Sequence, residues 1–358
     1  MILKECFTDE FIKSKAGENL YKKIIYEKVV HAFYLLEKLA REKINFVFKG
    51  GTSLMLLLNE FNRFSVDIDI LMESGKEKII EDVVNKYNDE VFVKVEEDVR
   101  RPTDIIKKHF KFYYKSIYGN QNNNLPYILL DIVFDDFKYS HLINKPIESN
   151  FIKTTDPLLC VKVPSIDEIL GDKLTAFAPK TIGILYYRPS QVNSKHVEII
   201  KQLYDVSKLY DKMTSLKNVR CTYYDLAKVQ LKNRNLDLSV EDCLFDSIST
   251  CKLIISEGKF GGTIEEYGIL KKGYEGFKNY VVSNFSFHEL ITMAVKAYAL
   301  CIDILYDESS INEAKPIETF IGRKYKYIRQ IVGDELYSAL MRRCYIENQH
   351  KLLLINNE

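Results

Sequence analysis

Apolar residues between positions 18 and 42 recur at the three- and four-residue spacing of one helix face, which predicts a long amphipathic helix. Short apolar runs further along predict strands at 45–48, 66–72, 90–96, 109–117, 126–134 and 158–163. Short helices are expected at 52–60 and 76–87, and a polar turn at 119–124. From Ser165 onward the pattern is mostly helical, with amphipathic segments at 195–211, 239–256 and 286–306.

This change of pattern predicts an α+β protein with two domains. Residues 1–163 should form a mixed β-sheet flanked by helices, and residues 164–358 a helical domain that closes a cleft. A chain of 358 residues is long enough for two domains of ordinary size.

Charge and composition narrow the class of protein. Lys and Arg number 51 against 50 Asp and Glu, a net charge of +1, whereas nucleic-acid-binding domains are usually clearly basic. The longest apolar runs, such as Leu54–Leu58, are far shorter than the roughly 20 residues that cross a bilayer, so no membrane association is expected. Seven cysteines without a Cys-x-x-Cys pair argue against a zinc site or a disulfide framework and favour a reducing, cytoplasmic location.

The most informative pattern is the alternation Val66-Asp67-Ile68-Asp69-Ile70. Successive strand side chains point to opposite faces, so Asp67 and Asp69 share one face. Their mutual repulsion is relieved by a divalent cation, and Mg²⁺ (or Mn²⁺) prefers such oxygen ligands together with substrate phosphates. The alternative is an exposed strand face with two solvated acids.

A glycine turn precedes this strand at Lys49-Gly50-Gly51-Thr52-Ser53. Two glycines at a strand-to-helix junction let the backbone approach a ligand, and the N–H groups of a helix start attract phosphate oxygens. Thr52 and Ser53 could add hydroxyl donors. The alternative is a tight turn with Thr52 as a helix cap.

A third acid, Asp131, stands within the apolar run Leu129-Leu130-Asp131-Ile132-Val133. An unpaired carboxylate is costly to bury, so its place in a strand needs a reason. If this strand neighbours the Asp67 and Asp69 strand, the three carboxylates converge on one metal site.

Lys173 lies within an apolar stripe. Counting 100° per residue from a helix start at Ser165 places Lys173 near the centre of the stripe formed by Ile166, Leu170 and Phe177. The side chain either extends out to solvent, as lysines often do, or reaches an anionic ligand such as a triphosphate.

Two of these runs together resemble the AbiEii/AbiGii toxin family of nucleotidyltransferases, which belongs to the DNA polymerase β-like nucleotidyltransferase superfamily. They are Lys49-Gly50-Gly51-Thr52-Ser53-Leu54 and Arg63-Phe64-Ser65-Val66-Asp67-Ile68-Asp69. Asp172-Lys173-Leu174 is similar to the family's later Asp-Lys-Leu helix. Gln202-Leu203-Tyr204-Asp205-Val206 is similar to its Asp-Leu-Tyr-Asp-Leu run, with Gln202 in place of the first acid. The resemblance covers roughly residues 44–210.

The resemblance implies a metal-dependent transfer of a nucleoside monophosphate from a nucleoside triphosphate to an acceptor. Asp67 and Asp69 would hold the metal, Lys173 would contact the nucleotide, and Asp205 would complete the site. Helical spacing alone leaves Asp205 either facing a cleft or solvated. Family membership further implies a toxin of a toxin–antitoxin or phage-defence pair, a cognate antitoxin and an RNA acceptor, with tRNA expected.

Two other functions remain open at this stage. Nucleotidyl transfer to a small molecule, such as an antibiotic, is slightly favoured by the near-neutral charge, whereas a basic stripe in the helical half would favour RNA. Candidate members of that stripe are Lys324, Lys326, Arg329, Arg342 and Arg343. A non-catalytic nucleotide-binding or interaction module is the third possibility, but it would have no need to keep repelling acids together.

Overall fold

The computed structural model describes residues 1–58, 61–84, 86–87, 90–99, 106–119, 124–187, 195–306, 321 and 324–355. The chain forms two compact units. The first, here the sheet unit, comprises Met1–Ser165 and Asn279–Ser283, and the second, the helical unit, comprises Ile166–Lys278 and Asn284–Glu358. The first division falls two residues beyond position 163, and the sequence pattern did not indicate that residues 279–283 belong with the sheet unit.

The sheet unit contains helices before, between and after its first strands. Its helices are α1 (Asp9–Ala16), α2 (Leu20–Arg41), α3 (Gly50–Leu57) and α4 (Glu77–Val84). Its strands are β1 (Val47–Lys49), β2 (Ile68–Met72), β3 (Phe92–Glu97), β4 (Ile106–Tyr114), β5 (Tyr127–Phe134), β6 (Leu142–Pro146) and β7 (Cys160–Pro164). Helix α1 and strand β6 were not predicted, and residues 120–123 of the predicted polar turn lie outside the described residues.

The seven strands form one sheet in the order β3-β4-β5-β2-β1-β7-β6. Strands β2 and β5 run parallel, as do β1 and β7, while the other neighbouring pairs are antiparallel. The α+β class with a mixed sheet is therefore confirmed. Because the parallel pairing of β2 with β5 brings the two acidic strands together, the topology itself determines where their carboxylates lie.

One face of the sheet is covered and apolar, since alternate residues of β2, β4 and β5 are buried there. Helix α2 packs on this face, where its His31 ring stacks on Tyr114 with 3.7 Å between ring centroids. Burial lowers the pKa of His31 to about 4, so this histidine is a neutral core residue. The opposite face, which we call the polar face, carries Asp69, Asp131 and His109.

The helical unit begins at Ile166, directly after Ser165. Its helices are α5 (Ile166–Ala176), α6 (His196–Tyr210), α7 (Leu216–Asn233), α8 (Val240–Ile255), α9 (Ile264–Phe277), α10 (Phe287–Leu305), α11 (Tyr325–Val332) and α12 (Asp334–Ile355). The three predicted amphipathic segments are confirmed as α6, α8 and α10. Capping boxes at Ser239, Thr263 and Ser286 fix the starts of α8, α9 and α10. Among the described residues, no helix has the length and apolarity to cross a membrane.

Candidate active site

Asp69 lies against the glycine turn. Strands β1 and β2 pair so that Lys49 is opposite Asp69, and α3 begins at the next residue, Gly50. Gly50 has a φ of +78°, and a Cβ at this position would collide with Oδ2 of Asp69. Only glycine fits here, because any side chain would be strained at this φ and would displace the carboxylate.

Asp67 lies just before β2 and is exposed. Its backbone is held by α3: Thr52 Oγ1 lies 2.5 Å from the carbonyl oxygen of Asp67 and 3.0 Å from Ser65 Oγ. The helix that follows the glycine turn thus fixes the backbone from which Asp67 projects.

Gly51 is also constrained by its neighbours. A Cβ there would lie 2.6 Å from Nη2 of Arg63 and 2.7 Å from Ser65 Oγ. Arg63 is buried and donates from Nη1 to the carbonyl oxygen of Phe64 at 3.0 Å. The Arg63-Phe64-Ser65 run therefore packs against the glycine turn, which gives a structural reason for its separation from the turn in the sequence.

The hydroxyl groups of Thr52 and Ser53 are used within the protein. Both side chains are buried, and Ser53 Oγ donates to the carbonyl oxygen of Gly50 at 2.8 Å. In the structure these hydroxyls bond to the turn and to the Ser65–Asp67 segment, which differs from the phosphate contacts expected from the sequence. The N–H groups of the first turn of α3 have no acceptor within the helix, and such groups are the usual donors to phosphate oxygens.

Asp131 lies beside Asp69. The two residues are partners in the parallel pairing of β5 and β2, so their side chains share the polar face with Cα atoms about 4.8 Å apart. On its other side Asp131 faces His109 of β4, whose Nδ1 lies 2.5 Å from Asp131 Oδ1. Both side chains are largely shielded from solvent. Two carboxylates and an imidazole thus form a row across three adjacent strands.

His109 was not predicted as a site residue, although the sequence contained the signal. The run from His109 to Phe112 alternates polar and apolar residues, so His109 belongs to the same face as Lys111. What the sequence could not supply was the register that places His109 opposite Asp131.

Lys28 of α2 adds a cation at the edge of this site. Its ammonium lies 5.6 Å from the centroid of the Tyr127 ring. Burial lowers the pKa of Lys28, while the negative charges of Asp67 and Glu27 act in the opposite direction. Lys28 is therefore close enough to Asp67 to offset part of the negative charge on the polar face.

The chemistry of the donors fits magnesium, with one restriction. Within the described residues, no group of three or more histidine, cysteine, aspartate or glutamate side chains is arranged to hold a metal ion. Mg²⁺ commonly uses one or two carboxylates and completes its octahedral shell with water and substrate phosphates. Asp67 and Asp69 match the carboxylate part of that ligand set, and Asp131, which contacts His109 through Oδ1, lies beside Asp69.

Lys173 and Asp205 form an ion pair inside the helical unit. Lys173 Nζ lies 3.0 Å from Asp205 Oδ2, and Asp205 is 0% exposed. The solvated alternative for Asp205 is therefore wrong, and so is the alternative in which Lys173 extends to solvent, since that residue is 8% exposed. Lys173 lies in the apolar stripe because its partner on α6 is buried there too.

The predicted basic stripe is partly neutralised. Lys324 pairs with Glu257 at 2.6 Å, and Arg329 pairs with Asp334 at 2.5 Å. The Arg343 guanidinium makes two hydrogen bonds to Asp303, from Nε at 2.7 Å and from Nη2 at 2.8 Å. Three of the five candidate residues thus form local ion pairs, so the charge that would favour RNA in this half is partly offset.

The family model described as "Nucleotidyl transferase AbiEii toxin, Type IV TA system" matches residues 34–268, more than half of the chain. This chain belongs to the AbiEii nucleotidyltransferase family. The matched span includes the glycine turn, Asp67, Asp69 and Asp131, and it extends through Lys173 and Asp205. The AbiEii match also confirms the family that the sequence resembles.

Several solved structures are similar to this AbiEii family member. JHP933 from Helicobacter pylori is 14% identical, with a TM-score of 0.41 over 78% of this chain and 90% of its own. A second H. pylori protein, described as a nucleotidyltransferase, is 16% identical, with a TM-score of 0.40 over 78% and 93%. An antigenic nucleotidyltransferase-like protein from Paracoccidioides brasiliensis is 14% identical, with a TM-score of 0.34 over 58% and 93%. No curated protein matches the sequence.

Proposed function

We propose that this AbiEii family member transfers a nucleoside monophosphate from a nucleoside triphosphate to RNA, with tRNA the expected acceptor, in a reaction that requires Mg²⁺ or Mn²⁺. The observation that supports this proposal most is the position of Asp69. Its carboxylate lies against the Gly50 backbone at the start of α3 and beside Asp131 on the next strand. Like charges placed opposite each other in a sheet are destabilising. A bound cation would remove this repulsion, which gives a reason for the two carboxylates to lie side by side.

The chain's own residues would divide the work as follows. The N–H groups of the Gly50–Ser53 turn hold triphosphate oxygens, and Lys49 lies on the polar face beside Asp69. Asp67 and Asp69 are the ligands that would hold the metal, with Asp131 as a third carboxylate. When bound, the metal ion supplies charge neutralisation at the α-phosphate and favours ionisation of the acceptor hydroxyl. The acceptor oxygen then forms a bond to the α-phosphorus while the bond to the pyrophosphate leaving group breaks.

A labelling experiment tests this proposal directly. Purified protein is incubated with total RNA, Mg²⁺ and each α-³²P-labelled nucleoside triphosphate in turn. We expect label in RNA with at least one nucleotide and its loss in excess chelator, with recovery when Mn²⁺ or Mg²⁺ is restored. Labelling that persists in chelator would contradict the metal requirement.

Transfer to a small molecule is a second candidate, favoured by the net charge of +1 and by the ion pairs that neutralise the predicted basic stripe. The same labelling assay, run with an extract from which RNA has been digested, distinguishes the two. Label in a small, nuclease-resistant product supports the second candidate.

We further propose that the chain is the toxin of a toxin–antitoxin or phage-defence pair and has a cognate antitoxin, as its family description suggests. Induced expression of the wild-type chain should arrest growth, and the Asp69→Asn variant should not. Growth arrest by both variants would separate toxicity from nucleotidyl transfer.

A further inference from the structure

An aromatic and cationic cluster lies where β5 begins, with Tyr127 and Lys111 on the polar face and Lys28 contributed from the edge by α2. Tyr127 is 38% exposed and is the register partner of Tyr113, with 5.6 Å between their ring centroids. The ammonium of Lys28 lies 5.6 Å from the Tyr127 ring centroid and that of Lys111 lies 5.2 Å from it. Two cations from different elements, a helix and a strand, thus converge on one exposed ring.

The charges around this cluster are mixed, with cations nearest to the Tyr127 ring. Lys111 also contacts Asp98 at 2.7 Å, and Asp67 and Glu27 lie near Lys28. Next to Tyr113, Lys94 forms an ion pair with Glu96. An ammonium group within about 6 Å of a ring centroid is attracted to the ring, so both cations stay close to Tyr127.

The cluster is placed on one side of the catalytic acids. Tyr127 precedes Asp131 by four residues on the same strand and face, a separation of about 13 Å. The glycine turn lies on the other side of Asp69, at the end of β1. A triphosphate held at Gly50 therefore leaves the β5 and β4 side of the polar face for the acceptor.

We infer that Tyr127, with Lys28 and Lys111, is the acceptor-binding site and takes a nucleotide of single-stranded RNA. Single-stranded RNA is recognised by stacking of its bases on aromatic side chains, while cations contact its phosphates. This inference rests on the proposed function, because it assigns the acceptor of that same site. The RNA contacts would then be side chains of the sheet unit, whereas three of the five basic residues considered in the helical unit form local ion pairs.

The test uses two readouts on the full chain. Binding of a fluorescently labelled 12-nucleotide single-stranded RNA is measured without nucleotide, and KM is measured separately for RNA and for the nucleoside triphosphate. Tyr127→Ala should weaken RNA binding at least about fivefold and raise the KM for RNA, with the KM for the nucleotide unchanged. Tyr127→Phe keeps the aromatic ring and should recover most of the RNA affinity lost in Tyr127→Ala. Lys28→Gln should reduce the slope of the logarithm of the binding constant against the logarithm of the salt concentration by about 1.

Ile106→Ala is the matched control. Ile106 is an exposed residue of β4, in the same strand pair as Tyr127, but its side chain lies on the opposite face of the sheet. RNA binding and KM for RNA that are unchanged in Tyr127→Ala would overturn the inference, as would wild-type protein that binds no RNA. If the wild type binds RNA through Tyr127 but transfers no nucleotide, the proposed function fails and the binding site stands. If the wild type labels RNA and Tyr127→Ala has an unchanged KM for RNA, the proposed function stands and the Tyr127 binding site fails.

Discussion

Two groups of acidic side chains, one in each unit, are held differently. In the helical unit, Asp205 is fully buried with Lys173 at 3.0 Å, and Asp303 is buried with two hydrogen bonds from Arg343. In the sheet unit, Asp69 and Asp131 lie side by side on adjacent strands. A buried carboxylate paired with a cation stabilises the fold relative to an unpaired one, whereas neighbouring carboxylates repel each other.

The difference indicates which acids serve structure and which serve a ligand. Glu347 of α12 is held like Asp205 and Asp303. It is buried, forms an ion pair with Lys252 and accepts a hydrogen bond from Tyr298 at 2.7 Å. Asp67 is exposed, and Asp69 is kept near Asp131 by backbone pairing and by the glycine turn. We expect substitutions in the first group to change stability and those in the second to change transfer.

The largest expected effect on stability is at Lys173. Lys173→Met leaves the Asp205 carboxylate buried without this cation, which should cost about 3–5 kcal/mol in the free energy of unfolding. The double variant Lys173→Met/Asp205→Asn removes both charges and should recover most of that loss. Urea denaturation measures all three proteins.

The same double variant separates structure from function. If the nucleotide contact implied by family resemblance is correct, the double variant is stable but inactive. Recovery of both stability and nucleotide transfer would assign Lys173 and Asp205 to the fold alone.

Asp69→Asn should give the opposite result. Nucleotide transfer should fall at least about 100-fold, as when other essential charged or polar groups are removed from active sites. Stability should be unchanged or higher, because one of two repelling charges is gone. Asp136→Asn is the control, since Asp136 is exposed just after the end of β5. An active Asp69→Asn protein would contradict the assignment of Asp69.

Much of this contrast could be predicted from the sequence. What could not be predicted was the set of contacts between segments that are distant in the sequence. Alternation placed Asp67 and Asp69 on one face, since side-chain direction depends only on the local backbone. The sequence could place Asp131 beside Asp69 only if their two strands were neighbours, because strand order and register depend on pairing between distant segments. His109 and Lys28 were missed for the same reason, as each reaches the site through a neighbour far away in the sequence.

The helical unit shows the same limit. Helical spacing identified the stripe that contains Lys173, but spacing within one helix cannot reveal a partner on another helix. Lys173 is buried because its ammonium forms an ion pair with Asp205 of α6. Strand β6 was missed because its residues are exposed or half-exposed at the sheet edge, so it has no apolar pattern.

A pair of glycines tests how Asp69 is positioned. Gly50 and Gly75 have φ values of +78° and +80°, so alanine is strained at both, by about 1 kcal/mol or more. Apart from Gly75 and its two chain neighbours, no described residue has a heavy atom within 4 Å of a Cβ placed at Gly75, whereas a Cβ at Gly50 meets Asp69. Gly50→Ala should reduce transfer roughly 10- to 100-fold by displacing the carboxylate. Gly75→Ala should retain full activity, and equal losses in the two variants would point to backbone strain alone.

The smallest expected effect is at His109. Its Nδ1 lies 2.5 Å from Asp131 Oδ1, and hydrogen bonds to a metal-ligating carboxylate orient it. His109→Phe keeps an aromatic ring but removes this hydrogen bond, so transfer should fall about tenfold and the Mg²⁺ concentration for half-maximal rate should rise. His109→Gln retains an N–H donor and should restore most of the rate. Stability should differ little between the two variants, because His109 is on the polar face and not in the core. If the Mg²⁺ dependence is identical in wild type and His109→Phe, then Asp131 is not oriented by His109 for metal binding, and the row of Asp69, Asp131 and His109 is an arrangement of the fold.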